Sequence, residues 1–105
     1  MYQKLIKLRE QFVAHELKLM EYGQSGVLEL TKARVKLSNA RIDLSKFQGK
    51  HDMVVKELRN IIKFYSEAIE QLKTEVDKGQ RAPGVFYEAE IALLEAKIRL
   101  AKATQ

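Results

Sequence analysis

The chain has 105 residues, which is the size of a single domain. Hydrophobic residues make up 46% and charged residues 31%, so the composition is not that of a disordered chain, and one Pro with no Trp argues against a strand-rich, turn-rich fold. The net charge is +5, and the absence of Cys excludes a disulfide framework, thiol chemistry and Cys-based zinc sites.

The first segment, about Tyr2 to Tyr22, spaces Leu5, Leu8, Phe12, His15, Leu19 and Tyr22 at alternating threes and fours. Ile6, Val13 and Met20 flank that stripe, so the spacing predicts an amphipathic helix with its seam on Leu5–Tyr22. Gly23-Gln24-Ser25-Gly26 interrupts it and favours a C-cap and a turn. The second segment, about Val27 to Phe47, carries Leu30, Ala33, Leu37, Ala40, Leu44 and Phe47 at the same spacing. After Gln48-Gly49-Lys50-His51, Asp52 is the expected N-cap of a third segment, Met53 to Lys78. Its seam is Val54, Leu58, Ile61, Tyr65, Ala68 and Leu72, flanked by Val55, Ile62, Ile69 and Val76. Pro83 suits a turn or a first helical position, and a fourth segment from Val85 to Ala103 follows with Phe86, Ala89, Leu93, Ala96, Leu100 and Ala103. Four long helices with short loops read as an all-α, antiparallel up-down-up-down four-helix bundle with coiled-coil-like packing, in a single domain over 1–105.

A gapless shift of 56 residues lays Gly23-Gln24 on Gly79-Gln80. It also lays Ala33, Leu37, Ala40, Ile42, Leu44 and Lys46 on Ala89, Leu93, Ala96, Ile98, Leu100 and Lys102. The expectation is a duplication, with one hairpin at about 2–48 and its copy at about 52–104, neither able to bury its apolar face alone. Lys32 and Arg34 correspond to Glu88 and Glu90, so a basic helix in one hairpin is expected to face an acidic helix in the other. Helices two and four also carry Val35/Ile42 and Ile91/Ile98 roughly 170° from their seams, at equivalent positions. A helix of a simple bundle is polar there, so these four residues are expected to form an assembly stripe for self-association or a protein partner.

Chemistry is sparse. There is no P-loop, no dinucleotide-binding fingerprint and no Glu-x-x-His pair, and the two His residues are His15 and His51. No catalytic residue, metal site or cofactor is expected. His15 in Ala14-His15-Glu16-Leu17-Lys18 is similar to the phosphoacceptor of histidine phosphotransfer domains, with Lys18 one turn on. Leu19 stands where that family has Gly, and His15 falls within the predicted seam, so the expectation is a partly buried structural His, with phosphotransfer as the alternative. The whole charge excess lies in residues 1–50, concentrated in Lys32, Arg34, Lys36, Arg41, Lys46 and Lys50. No aromatics interleave with these cations, so nucleic-acid binding through residues 32–50 is the weaker alternative to a solvated face. No apolar run approaches a membrane span, and no signal peptide is visible. The sequence leaves the location unknown: the cytoplasm is the default, and the periplasm applies to a mature or excised fragment.

Each half resembles the helical hairpins of TolC-type outer-membrane efflux proteins and the similar hairpins of their adaptor proteins. That family's pattern runs roughly Tyr-x-x-Gly-x-x-Ser-x-x-Asp-Val-Leu-x-Ala-x-x-x-Leu-x-x-Ala-x-x-x-Leu. Here Tyr22-Gly23-Gln24-Ser25 through Ala33, Leu37, Ala40 and Leu44 match it in one half. Gly79-Gln80-Arg81 through Ala89, Leu93, Ala96 and Leu100 match it in the other. Gly26 and Pro83-Gly84 depart from it, and the family's barrel strands are absent. The resemblance implies hairpin tips at Gly23, Gln24, Ser25, Gly79, Gln80 and Arg81 that meet a partner's tips. It also implies helices standing side by side in a trimeric tunnel, with the far-side stripe in use.

Overall fold

Helix boundaries follow from local backbone chemistry. The computed structural model describes all 105 residues and contains α1 (Tyr2–Glu21), α2 (Val27–Phe47), α3 (His51–Asp77) and α4 (Pro83–Ala103). Gly23 ends α1 with φ +72°, a left-handed conformation that costs glycine little and other residues more. Its N–H donates to the Met20 carbonyl at 3.0 Å, and the Gln24 N–H donates to the Leu19 carbonyl at 2.8 Å, so two otherwise orphaned carbonyls are satisfied. Gly79 repeats this at the end of α3, with φ +72° and bonds from Gly79 to Val76 at 3.0 Å and from Gln80 to Glu75 at 2.8 Å. Two helices start earlier than their apolar patterns predict. Pro83 takes the first turn of α4, where its missing N–H costs nothing. Lys50, not Asp52, caps α3; Asp52 lies inside the first turn, where its charge complements the positive helix end.

The four helices form an all-α antiparallel up-down-up-down bundle that is open. Each packs on its neighbour in sequence, α1 on α2, α2 on α3 and α3 on α4, and α1 does not meet α4. The Cα envelope measures 46 × 31 × 15 Å. Four helix axes set side by side at about 8–10 Å account for the 31 Å width, so the helices stand in one curved layer.

This order explains where the core sits. The α3 seam predicted from sequence is the centre of the molecule, with Ile61 1% and Leu72 0% exposed. Val54, Leu58 and Ile61 pack with Val35 and Ile42 of α2 and with Ala96 of α4; Ala68 and Leu72 pack with Val27 and Ala89. α3 therefore presents one wide apolar face to two helices at once, and the layer bends around it.

Most polar links follow the same order; the exception is Arg99 of α4, whose Nη1 donates to Asn39 Oδ1 of α2 at 3.1 Å. Arg41 of α2 bonds Glu10 of α1 at 3.0 Å and lies 3.9 Å from Glu57 of α3, so one guanidinium spans three helices. Glu57 is buried, and Asn60 also donates to it, at 3.5 Å. Thr31 Oγ1 donates to the Val27 carbonyl at 2.7 Å, and no buried side-chain nitrogen or oxygen lacks a partner. Tyr65 lies half-buried on α3; burial raises its pKa above the ordinary 10.0, Glu95 raises it further, and Arg99 opposes both.

Two outcomes are expected. Ile42→Ala and Leu72→Ala should each cost about 2–5 kcal/mol in urea unfolding, because each empties a fully enclosed position. The folded chain holds the Tyr65 proton more tightly than the unfolded chain. That stabilisation is complete below pH 10.0 and is lost as pH rises through the folded pKa, so Tyr65→Phe should lose stability less steeply than wild type above pH 10.0.

Candidate functional site

The structure divides the expected assembly stripe in two. Val35 is 8% and Ile42 1% exposed, whereas Ile91 is 56% and Ile98 55% exposed. Val35 and Ile42 are thus not an assembly surface. α2 is an inner helix of the layer, so its far side is the joint to α3 and both residues belong to the main core. α4 is an edge helix, and its far side is open. Tyr87 and Leu94 are exposed beside Ile91 and Ile98, giving a stripe of about three turns.

α1 is the other edge, and here the predicted seam is corrected. Leu5, Leu8, Phe12, His15 and Tyr22 are exposed. The flanking stripe of Ile6, Val13 and Met20 is half-buried on the α2 side, and α1 contributes no buried residue. The wide apolar face read from the spacing therefore contains both the α2 contact and an uncovered stripe roughly 100° around the helix from it. Most of the molecule's exposed large apolar side chains lie on these two edges. Fully burying such a side chain contributes ~1.5–3 kcal/mol, so covering the exposed half of Leu5, Leu8, Phe12, Tyr87, Ile91, Leu94 and Ile98 would contribute on the order of 5–10 kcal/mol. Association itself costs ~4–15 kcal/mol, so a partner that covers both edges is bound reversibly.

The loops 22–26 and 78–82 lie at the same end of the layer, as the alternating helix directions require. Gly23, Gln24, Gly79 and Gln80 are exposed; Ser25 and Arg81 are half-buried and held. Ser25 Oγ donates to the Glu16 carboxylate at 2.7 Å. Arg81 Nε donates to Glu75 at 2.5 Å, and its Nη2 lies against the first loop, 2.8 Å from where a Cβ on Gly26 would stand. The Arg81 side chain thus lies close beside the first tip while bonded to Glu75 of α3.

The basic segment is partly spent inside the fold. Arg41 is clamped between Glu10 and Glu57, and Arg34 lies 5.5 Å over the Phe64 ring. Lys32, Lys36, Lys46 and Lys50 remain exposed. Lys32 and Arg34 form no ion pair with Glu88 or Glu90; the side-chain bond between α2 and α4 is instead Arg99 Nη1 donating to Asn39 Oδ1 at 3.1 Å. His15 is exposed rather than partly buried, its ring 6.3 Å from that of Phe12 on the open edge. His51 opens α3 and is exposed. No three His, Asp or Glu side chains converge as metal ligands, and no helix is long and apolar enough to cross a membrane.

No protein-family model matches the chain, and no curated protein or solved structure matches it.

The inner and outer stripes should respond differently to the same change. Ile91→Ser with Ile98→Ser should alter urea stability by less than about 1 kcal/mol, as exposed substitutions do. Val35→Ser with Ile42→Ser should abolish cooperative unfolding or cost more than about 3 kcal/mol.

Proposed function

We propose that this chain is a non-catalytic protein–protein interaction and assembly module, similar to the helical hairpin part of a TolC-type efflux component. The observation that carries the reading is the pair of open apolar stripes on α1 and α4, at the two edges of a layer whose inner helices bury theirs. A protein surface with its large apolar side chains gathered on two helices marks sites that other proteins cover. Two further features support the likeness to the efflux hairpins. The helices stand side by side rather than around a closed core, and both glycine-ended loops lie at one end of the layer. The duplication of one hairpin belongs to the same reading. Some positions 56 apart have like environments: Ala40 and Ala96 are buried, as are Ala33 and Ala89, and Ile6/Val13/Met20 and Ile62/Ile69/Val76 are all half-buried, whereas Val35/Ile42 are buried and Ile91/Ile98 exposed.

A second reading, phosphotransfer through His15, has the exposure of that imidazole and of Lys18 in its favour. Leu19 in place of the small residue of that family stands against it. Incubation with a small phosphodonor separates the two, since the interaction reading expects no acid-labile phosphate on His15.

The interaction reading is tested with a photo-crosslinking amino acid placed at Ile91 or Leu8, and at Lys36 as control, in the chain's native cell. Adducts of defined mass are expected from the two edge positions and none from Lys36. Equal, diffuse labelling at all three positions, or none, would sink the reading.

A further inference from the structure

We infer that the open stripe of α4 is covered by the open stripe of α1 from a second copy of this chain, packed antiparallel, so that copies join edge to edge in one direction. This rests on the interaction reading above and names its partner. The argument comes from a joint the molecule already contains. Within one chain, the far side of α2, Val35 and Ile42, is covered by Val54, Leu58 and Ile61 of α3. Moving 56 residues forward carries Val35 and Ile42 onto Ile91 and Ile98 of α4. Moving 56 residues back carries Leu58, Ile61, Phe64 and Ala68 of α3 onto Tyr2, Leu5, Leu8 and Phe12 of α1. Except for Val54, which the shift carries ahead of residue 1, the α2/α3 joint therefore has a counterpart in sequence, with Tyr2 and Leu5 in the places of Leu58 and Ile61. One half lies on α4, the other on α1, and in the folded chain they stand at opposite edges of the layer.

Both halves have the character the joint requires. Ile91, Leu94 and Ile98 are exposed on one edge, and Leu5, Leu8 and Phe12 on the other. The exposed stripe of Leu5, Leu8 and Phe12 on α1 takes the places of Ile61, Phe64 and Ala68 of α3 when the register is transferred. The transferred register sets Glu90 opposite Leu8, as Arg34 is set over Phe64 within the chain. The two joints are not identical in detail: Ser38 on α2 becomes Leu94 on α4, and Ala68 on α3 becomes Phe12 on α1. These changes enlarge the apolar side chains on both faces.

The surfaces differ from one another, so the contact is heterologous. Each added copy covers one edge and supplies a fresh one, and growth stops only when a ring closes. A stripe that paired with itself would give a two-fold dimer and nothing larger.

Sedimentation velocity separates these outcomes. Wild type should show a mass that rises with concentration above 12.1 kDa over about 10 µM to 1 mM. Leu5→Glu with Phe12→Glu blocks the α1 edge, and Ile91→Glu with Ile98→Glu blocks the α4 edge; each variant alone should stay at 12.1 kDa. An equimolar mixture of the two variants keeps one intact edge of each kind and should give a 1:1 dimer that grows no further. Circular dichroism of each variant checks that it is folded, and Leu5→Ser/Phe12→Ser and Ile91→Ser/Ile98→Ser replace any that is not. A wild type that stays monomeric throughout overturns the inference, as does a blocked variant that dimerises by itself or a mixture that stays monomeric. If the photo-crosslinks at Ile91 persist in those cases with an adduct heavier or lighter than a second copy, the interaction reading stands and only its assigned partner is wrong.

Discussion

The structure depends on the apolar face of α3. Leu58, Ile61, Ala68 and Leu72 are nearly inaccessible to solvent because α2 and α4 lean on this helix from two sides. Burial of apolar surface is the main favourable term in folding, and in a layer one helix thick only an inner helix can collect it from both neighbours. Small residues make the approach possible. Ala68, Ala89 and Ala96 let the helices come close where larger residues would hold them apart.

The same constraint explains what the sequence did and did not disclose. Helix number, direction and loop positions were legible because glycines stop α1 and α3 and a proline starts α4, all local signals. The α3 seam was legible because a helix with its apolar residues on one broad face has only one way to point it. The α1 seam misled, since Leu5, Leu8 and Phe12 form a cleaner heptad stripe than Ile6, Val13 and Met20 yet remain outside. Periodicity reports that a face is apolar; it does not report what covers it. A second apolar stripe on α2 signalled an inner helix, and reading it as an outer surface assumed a closed bundle in which no helix has two neighbours on opposite sides.

Electrostatics follow the packing rather than direct it. The charge contrast between Lys32/Arg34 and Glu88/Glu90 suggested ion pairs between α2 and α4, but none forms. The pairs that form are those that adjacency allows: Arg41 with Glu10 and Glu57, and Arg81 with Glu75. Exposed pairs contribute a fraction of a kcal/mol each. Arg41 matters more for Glu57, a carboxylate enclosed between α2 and α3 that would be left without a countercharge.

That α1 contributes no buried side chain has a dynamic consequence. Local opening is easiest where few apolar contacts are broken, so backbone amides of α1 should exchange with solvent deuterium well before those of α2 and α3. The chain then behaves as a cooperative three-helix unit with a detachable leading helix. Anything that docks on α1 must also hold it down, and part of the binding free energy is spent on keeping that helix in place.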